Sequence, residues 1–190
     1  MLLKKNNFKK YLSCFVINYN NGRYLKECLE SIISQDTTFS FDIVIIDDCS
    51  NDNSKEVFRD IKIKNDLNNI FFFSTNKNNG NGRKACDELY FKIKPFFNTK
   101  YIYRIDSDDL IIDKQKFQKQ IFLLENNDYF IAVAHKYIVY DDNSKKQNIP
   151  EVKNGLLDTR FLISNLFRNQ YSVYCHTSTY MFRNIFRSIL

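Results

Sequence analysis

Residues 101–109 read Tyr101-Ile102-Tyr103-Arg104-Ile105-Asp106-Ser107-Asp108-Asp109, an apolar strand that leads directly into three clustered acids. Carboxylates this close in sequence repel one another unless a cation, a helix N-terminus or water compensates their charge. A divalent metal ion bound at the strand end would compensate it. Alternatively, Asp108 or Asp109 caps the next helix. The stretch alone does not decide between a metal site and a helix cap, so the rest of the chain must.

Three further apolar runs precede this stretch and predict buried strands, because each run is nearly continuous rather than alternating. They cover residues 12–19, 41–46 and 70–73. Between the four strands, apolar residues recur at helical spacing. Strands joined by helix-length segments require right-handed crossovers, so we predict an α/β domain whose mostly parallel central sheet is flanked by helices.

The sequence after the acids predicts a helix near residues 117–124 and then one long strand or two within 130–140. Residues 141–150 are polar and predict a loop. Helical spacing returns at 156–167, and 171–182 is typical of a strand. No internal repeat or linker interrupts the chain, so a single domain is the simplest prediction.

A polar cluster follows each of the four predicted strands. The clusters are Asn18-Tyr19-Asn20, Asp47-Asp48, the loop with Gly80 and Gly82, and Asp106-Ser107-Asp108. In open parallel sheets, ligands bind at the carboxyl ends of the strands, where successive loops converge. We therefore expect one ligand site at this edge. There the two acids of the second cluster could accept hydrogen bonds from a base or ribose, or form an ordinary cap between strand and helix.

The third cluster combines glycines with basic residues. Gly80 and Gly82 are two of only four glycines in the chain, and Arg83 and Lys84 follow them. Backbone amides at such a loop can approach an anion, and a helix N-terminus and basic side chains favour phosphate. Neither the dinucleotide fingerprint nor the P-loop pattern is matched. A simple turn with solvated basic side chains remains the alternative.

Charge and composition restrict the possible partners. The 190 residues carry a net charge of +6, with lysines concentrated at Lys4, Lys5, Lys9, Lys10, Lys145 and Lys146. These clusters could attract anionic lipid or diphosphates, or could simply be solvated surface. Basic residues do not alternate with aromatic ones in any recognised nucleic-acid motif, so we predict no nucleic-acid partner.

The five cysteines are scattered and odd in number, which predicts reduced thiols rather than disulfides or a zinc site. His135 and His176 have no acidic or histidine neighbours at ligand spacing, so the sequence assigns them no role. Met1-Leu2-Leu3-Lys4 is followed by Asn and Lys rather than by the apolar region of a signal peptide, and no run is long enough to span a bilayer. We expect a cytoplasmic protein that could contact the cytoplasmic face of the membrane.

Four motifs in order resemble the family 2 glycosyltransferases of the GT-A fold. They are Val16-Ile17-Asn18-Tyr19-Asn20, Tyr24-Leu25-x-x-Cys28-Leu29-x-Ser31-Ile32, Ile43-Val44-Ile45-Ile46-Asp47-Asp48-x-Ser50-x-Asp52-x-Ser54 and Ile105-Asp106-Ser107-Asp108-Asp109. The resemblance extends over residues 12–135 and is weaker beyond them. It implies a Rossmann-like GT-A fold and favours a metal site at the acids. One departure is Ile17-Asn18, where the family commonly has Pro-Thr.

The resemblance also implies roles for individual residues. A nucleotide-diphosphate sugar would lie against Asn18, Tyr19, Asn20, Asp47, Asp48, Gly80, Arg83, Lys84, Asp106 and Ser107. Within this set, Asp47 and Asp48 would contact the base, and Asp106 would approach the ribose or the metal. Asp106 and Asp108 would hold Mn²⁺ or Mg²⁺ bridging the diphosphate, while Asp109 could still act as a helix cap.

The implied reaction is the transfer of a hexosyl or related sugar, from UDP by analogy, to a glycan or lipid-linked acceptor with inversion, as in bacterial surface polysaccharide synthesis. In similar enzymes an acid downstream of the segment resembling residues 177–183 supplies the general base. No acid follows Asp158 in this chain. We therefore expect a GT-A domain over 1–190 that is shortened at its C-terminal end, with a donor part at 12–135 and an incomplete acceptor part at 136–190.

Two alternatives belong to other functional classes. A phosphoryl transferase of the haloacid dehalogenase type also places Asp-x-Asp after an apolar strand, which would make Asp106 a nucleophile. Its motif normally opens the fold, whereas three strands precede Asp106 here. A non-catalytic sugar-nucleotide-binding module is the second alternative, because no general base is evident.

Overall fold

A computed structural model describes residues 11–80, 89, 92–93, 99–141, 146–148 and 176–184. Its elements are β1 (Leu12–Asn18), α1 (Gly22–Ile33), β2 (Phe41–Asp47), α2 (Ser54–Lys64), β3 (Ile70–Ser74), β4 (Tyr101–Asp106), α3 (Lys116–Glu125), β5 (Ala132–Val133), β6 (Val139–Asp141), β7 (Lys146–Asn148) and β8 (Met181–Arg183). A 3-10 helix, Thr177–Thr179, precedes β8. The predicted loop residues Gly82, Arg83 and Lys84, the N-terminal lysines and the predicted helix at 156–167 lie outside the described residues.

The central sheet has six strands in the order β3-β2-β1-β4-β8-β5. The pairs β3–β2, β2–β1 and β1–β4 are parallel, whereas β8 is antiparallel to both β4 and β5. Strands β6 and β7 form a separate antiparallel pair. The sheet is mostly parallel and helices flank it, which confirms the predicted α/β architecture.

The first two strands are buried along their whole length because both faces of the sheet are covered. On one face, Val16 and Ile45 belong to a buried cluster that includes residues of α1, α2 and α3. On the other face, Phe15 packs in a cluster with Leu89 and Ile93, both of which are helical. Each fully buried aliphatic side chain contributes roughly 1.5–3 kcal/mol of hydrophobic free energy, so this double cover is a major source of stability.

Helix α1 begins where the chain passes very close to the start of α2. The Gly22 amide donates to Asp52 Oδ2 over 2.7 Å, and a Cβ atom at Gly22 would lie 2.1 Å from Asn53 Oδ1. Asp52 Oδ1 accepts from the Ser54 amide over 3.0 Å. Only glycine fits at position 22, and Asp52 satisfies amides at the N-terminal ends of both helices.

Two predictions for the C-terminal part need correction. The segment 141–150, predicted as a loop, contains strand β7. The segment 171–182, predicted as a strand, contains the start of β8 but also the 3-10 helix, because the Thr179 amide and hydroxyl bond back to the His176 carbonyl over 2.9 and 2.7 Å. Such local hydrogen bonds compete with strand pairing.

Within the part of the chain that the structure describes, no helix combines the length and apolar character needed to cross a membrane.

Candidate functional site

The strand register brings the predicted polar clusters to one edge of the sheet. Asn18 lies opposite Asp47, and Asp47 lies opposite Ser74, so the carboxyl ends of β1, β2 and β3 are level. Asp106 lies opposite Ile17, and the Ser107 amide donates to the Ile17 carbonyl over 2.9 Å. The four predicted strand ends therefore converge at one edge, called the carboxyl edge below.

Asp47 joins three strand ends through its two carboxylate oxygens. Its Oδ1 accepts from Asn18 Nδ2 over 2.8 Å, and its Oδ2 accepts from Ser74 Oγ and the Ser50 amide, each over 3.0 Å. The residue is only 2% exposed. The helix-cap alternative for Asp47 is wrong, because Asp52 bonds the first amide of α2 instead. Asp47 therefore holds the ends of β1 and β3 and the loop after β2 together at the carboxyl edge.

Asp48 holds the loop that follows β3. Its carboxylate accepts from the Asn79 amide (3.0 Å), from Asn79 Nδ2 (2.8 Å) and from Thr75 Oγ1 (3.2 Å), and the residue is 1% exposed. This anchoring places Gly80, which has a φ of 68°, at the carboxyl edge. The helix-cap alternative for Asp48 is therefore wrong as well, and its carboxylate is engaged by the protein.

The loops after β1 and β2 hold each other in place. Asn20 Oδ1 accepts from the Asn51 amide, and the Asn20 amide donates to Ser50 Oγ, both over 2.9 Å. Asn20 and Cys49 both have left-handed backbones, with φ of 49° and 60°. Tyr19 is 47% exposed, so its ring remains accessible at the edge.

Two buried polar atoms at the strand tips have no hydrogen-bond partner among the described residues: Asn18 Oδ1 and Ser107 Oγ. The two residues are adjacent across the β1–β4 pair, because Ile17 lies opposite Asp106. Buried polar atoms are normally paired, so each such atom needs an explanation. Both atoms lie between Asp47 and the acids that follow β4. They are therefore available to hydrogen-bond to a ligand bound there.

The acids after β4 meet a residue from the C-terminal segment. Ligand atoms of Asp106, Asp109 and His176 lie within 4.8 Å of one another, and His176 Nδ1 is 3.3 Å from Asp109 Oδ2. Ser178 Oγ hydrogen-bonds to the Asp109 carboxylate and accepts from the Asp106 amide over 3.2 Å. The sequence assigned His176 no role, because sixty-six residues separate it from Asp109 and no ligand spacing revealed it.

Asp106 lacks full compensation of its charge. Burial raises its pKa, and the carboxylates of Asp109 and Asp108 raise it further, whereas Arg104, 3.6 Å away, lowers it. Two carboxylates and an imidazole fit Mn²⁺, which accepts both oxygen and nitrogen ligands, better than they fit Mg²⁺, which prefers oxygen alone. The cluster can therefore accommodate a divalent ion.

Asp108 is exposed and is not part of this three-residue cluster. The helix-cap alternative for Asp108 and Asp109 is wrong, because α3 begins only at Lys116 and its N-cap is Gln115. In that turn Asp113 Oδ1, rather than either of them, accepts from the Gln115 amide over 2.9 Å. Asp108 as a metal ligand remains a prediction.

Comparisons with known proteins identify the family of the chain. The sequence model of the family described as "Glycosyl transferase family 2" matches residues 13–190. An uncharacterised glycosyltransferase of Mycoplasma genitalium is 34% identical over 131 residues, which are 68% of this chain and 41% of that protein. The teichoic acid poly(glycerol phosphate) polymerase of Staphylococcus epidermidis is 32% identical over 132 residues, which are 66% of this chain and 16% of the polymerase. The chain thus spans less than half the length of these relatives.

Solved structures share the fold. S. aureus TarS 1–349 in complex with UDP superposes with a TM-score of 0.66 at 21% identity, covering 91% of this chain and 46% of TarS 1–349. The mannosyltransferase PcManGT from Pyrobaculum calidifontis, in complex with GDP-Man and Mn²⁺, gives a TM-score of 0.57 at 16% identity, covering 71% and 37%. The fold is therefore GT-A, and the chain, matched over nearly its whole length by the family model, belongs to glycosyl transferase family 2.

Proposed function

We propose that this protein binds a nucleotide-diphosphate sugar, with UDP as the nucleotide, and transfers a hexosyl or related sugar to a glycan or lipid-linked acceptor. The observation that carries the proposal is the convergence of Asn18, Asp47 and the Asp106–Asp109–His176 cluster at one carboxyl edge. Complexes of TarS with UDP and with UDP-GlcNAc support a nucleotide-sugar donor. The polymerase relative supports an acceptor belonging to the bacterial surface.

The donor would lie across the strand tips. Tyr19 offers an accessible ring for the base, and Asn18 and Ser107 retain polar atoms without partners between the base side and the acids. Asp47 and Asp48 shape this pocket through the loops that they hold, so their contribution to base contact would be largely positional. We propose that Gly80, Arg83 and Lys84 approach the diphosphate.

We propose that Asp106, Asp109 and His176 would hold Mn²⁺, and that Asp108, exposed in the same turn, would be a further ligand. When bound, a divalent ion supplies positive charge that neutralises the diphosphate leaving group. The protein contributes alignment, because Ser178 Oγ holds Asp109 and accepts from the Asp106 amide. Because burial and the neighbouring carboxylates raise the pKa of Asp106, a nearby cation would stabilise its ionised form.

In the proposed transfer, an acceptor hydroxyl oxygen forms a bond to the anomeric carbon while the bond from that carbon to the diphosphate oxygen breaks. The hydroxyl proton passes to a general base, and attack from the face opposite the leaving group inverts the anomeric centre. The chain spans less than half the length of these relatives, so sugar transfer is proposed for the whole protein.

The phosphoryl-transfer alternative has no support in the structure, because Asp106 follows the fourth strand of a family 2 glycosyltransferase domain. The non-catalytic binding module differs from the proposal only in turnover. Release of sugar from UDP-GlcNAc or another donor, or its transfer to an acceptor detected by mass spectrometry, would decide for the enzyme.

A thermal-shift panel tests donor and metal binding together. Nucleoside diphosphates are added with and without Mn²⁺ to the wild type, to Asp106→Ala, Asp108→Ala and His176→Ala, and to the control Asp113→Ala. Asp113 lies in the same loop but pairs with Lys119 over 2.8 Å. A ligand at one hundred times its dissociation constant adds about 2.7 kcal/mol, so the wild type and the control should shift clearly. The absence of any Mn²⁺-dependent shift in the wild type would refute the proposal.

We also propose that the protein works at the cytoplasmic face of a membrane, where a lipid-linked acceptor would be available. The support is the net charge of +6 with its lysine clusters. Co-sedimentation with vesicles that contain anionic lipid, but not with neutral vesicles, is expected at low salt and should weaken as salt screens the charges.

A further inference from the structure

The segment that carries His176 is held by two side chains of α3. Lys116 Nζ donates to the Ser178 carbonyl over 2.8 Å, and Gln120 Nε2 donates to the Thr179 carbonyl over 2.8 Å. Lys116 and Gln120 are one helical turn apart and therefore lie on the same face of α3. Both are buried, at 6% and 5% exposure. Together they hold two backbone carbonyls of the 3-10 helix by hydrogen bonds.

The opposite side of the same short segment faces the acids. The Ser178 carbonyl accepts a hydrogen bond from Lys116, and the Ser178 hydroxyl bonds to the Asp109 carboxylate. His176 Nδ1 lies 3.3 Å from that same carboxylate. Only Thr177 lies between His176 and Ser178, whose carbonyl is held by α3. If α3 no longer held the Ser178 carbonyl, the Ser178 hydroxyl and the His176 imidazole would no longer be fixed relative to the acids.

Burying a lysine without a carboxylate partner is costly, so its presence needs a reason. Lys116 Nζ lies 4.3 Å from the centre of the Tyr103 ring and hydrogen-bonds to the Tyr103 hydroxyl, which itself donates to the Ser178 carbonyl. Among the described residues, no carboxylate forms an ion pair with Lys116. Burial lowers its pKa to about 7, against the smaller raising effects of Cys14 and Asp109. An apolar side chain of similar size would commonly be at least as stabilising at such a position.

We infer that Lys116, assisted by Gln120, is a positioning residue for the ion site: by holding the Ser178 and Thr179 carbonyls, it keeps His176 and the Ser178 hydroxyl against Asp109 and Asp106. The inference rests on the proposed function, because it assumes that this cluster binds a divalent ion. Lys116 touches neither donor nor ion and acts through the segment that it holds.

Manganese affinity of the full chain, measured by electron paramagnetic resonance in the presence of UDP, tests this role. Removing a group that orients a metal ligand typically weakens metal binding by about 10- to 100-fold, so Lys116→Met should weaken Mn²⁺ binding by roughly 10-fold. Lys116→Arg retains a donor for the Ser178 carbonyl and should recover most of the affinity. Lys119→Met, on the same helix but exposed and paired with Asp113, should bind Mn²⁺ like the wild type.

Hydrogen exchange of residues 176–184 provides a readout that does not depend on metal. Faster exchange confined to this segment in Lys116→Met, together with weaker Mn²⁺ binding and recovery in Lys116→Arg, would support the inference. Unchanged Mn²⁺ affinity in Lys116→Met would overturn it, even with faster exchange, since the lysine would then be merely structural. If Lys116→Met does not fold, Gln120→Met takes its place with a several-fold loss expected. A wild type that binds no Mn²⁺ with UDP would instead refute the proposed function, which distinguishes the two failures.

Discussion

Two lysines contact tyrosine rings of the same strand, β4, but their surroundings differ. Lys100, near the amino ends of the strands, lies 5.5 Å from the Tyr101 ring and pairs with Glu125 over 2.6 Å, and the hydrogen bond to Glu125 raises its pKa. Lys116, toward the carboxyl edge, lies 4.3 Å from the Tyr103 ring, and burial lowers its pKa to about 7. One lysine has a carboxylate partner, whereas the other has a tyrosine hydroxyl and a carbonyl.

The acids of the two regions differ in the same way. Burial would raise the pKa of Glu125, but hydrogen bonds from Lys100, Tyr11 and Tyr101 lower it to about 2. Burial raises the pKa of Asp106, and neighbouring carboxylates raise it further. The amino ends thus pair their charges and stabilise the fold, while the carboxyl edge keeps charges that a ligand could compensate. Charge pairing therefore separates the structural region from the candidate functional one.

The largest expected effect is on Mn²⁺ binding, which should depend on the carboxyl edge and not on the amino ends of the strands. Asp109→Asn should weaken Mn²⁺ binding by about 100-fold, since it removes a proposed ligand and the partner of Ser178 and His176. Glu125→Gln removes the carboxylate that pairs with Lys100 near the amino ends of the strands, and it should leave Mn²⁺ binding unchanged. Titration of both variants with Mn²⁺ in the presence of UDP measures the contrast. Equal losses in the two variants would show that the proposed division between the regions is incorrect.

The second prediction concerns stability. Glu125→Gln should lower the free energy of unfolding at pH 7 by about 1 kcal/mol, a modest value because a third of the Glu125 side chain is exposed. The folded pKa is depressed, so this stabilisation is present above the unfolded value of 4.5 and is lost as the pH falls toward about 2.

Urea unfolding from pH 7 down to pH 3 measures the effect of Glu125. The exposed Glu27→Gln on α1 is the control and should change little. A wild type and a Glu125→Gln variant with the same pH profile below pH 4.5 would contradict the assignment.

The third prediction uses the other lysine. Between pH 7 and 8 folded Lys116 has lost its proton while the unfolded lysine, with a pKa of 10.5, keeps it. The unfolded state binds more protons, so stability should rise with pH by about 1 kcal/mol per unit. Lys116→Met should lack this rise. Measurements should stop near pH 8, because the raised pKa values of buried Cys14 and Cys28 make stability fall at higher pH.

The smallest expected effect concerns backbone strain at the carboxyl edge. Cys49 has a φ of 60°, and the left-handed conformation costs an ordinary residue about 1–2 kcal/mol. Cys49→Gly should remove that cost but increase unfolded-state entropy, for a net gain of about 0.5 kcal/mol. Asn20→Gly is the matched comparison, with a φ of 49°. It should lose stability, because Asn20 Oδ1 accepts from the Asn51 amide. Equal stabilisation by both substitutions in urea melts would contradict this account.

Much of the carboxyl edge could be predicted because it is encoded locally. Each apolar run ends in polar residues, and in a parallel sheet such ends must converge, so Asn18, Asp47 and Asp106 could be grouped without coordinates. The resemblance to family 2 glycosyltransferases pointed to the same residues and is confirmed at the level of family and fold. The individual nucleotide contacts of these residues stay predictions.

Other features could not be predicted because they depend on packing between distant segments. Asp47 and Asp48 resembled either caps or ligand contacts, yet both are buried in networks with residues from other loops. His176 had no ligand spacing, and no sequence pattern singled out Lys116. Both became recognisable only when the 3-10 helix was seen between α3 and the acids.

By itself, the sequence determined the α/β class, the order of the strands along the chain and the edge at which polar residues would gather, because hydrophobic periodicity and strand ends are local properties. Only the tertiary structure decided which side chains meet there. Asp109 faces His176 and Lys116 holds Ser178 because β8 inserts antiparallel beside β4, a pairing between residues about eighty positions apart. Hydrogen bonds and charge interactions act over a few ångströms in space, and no local pattern records them.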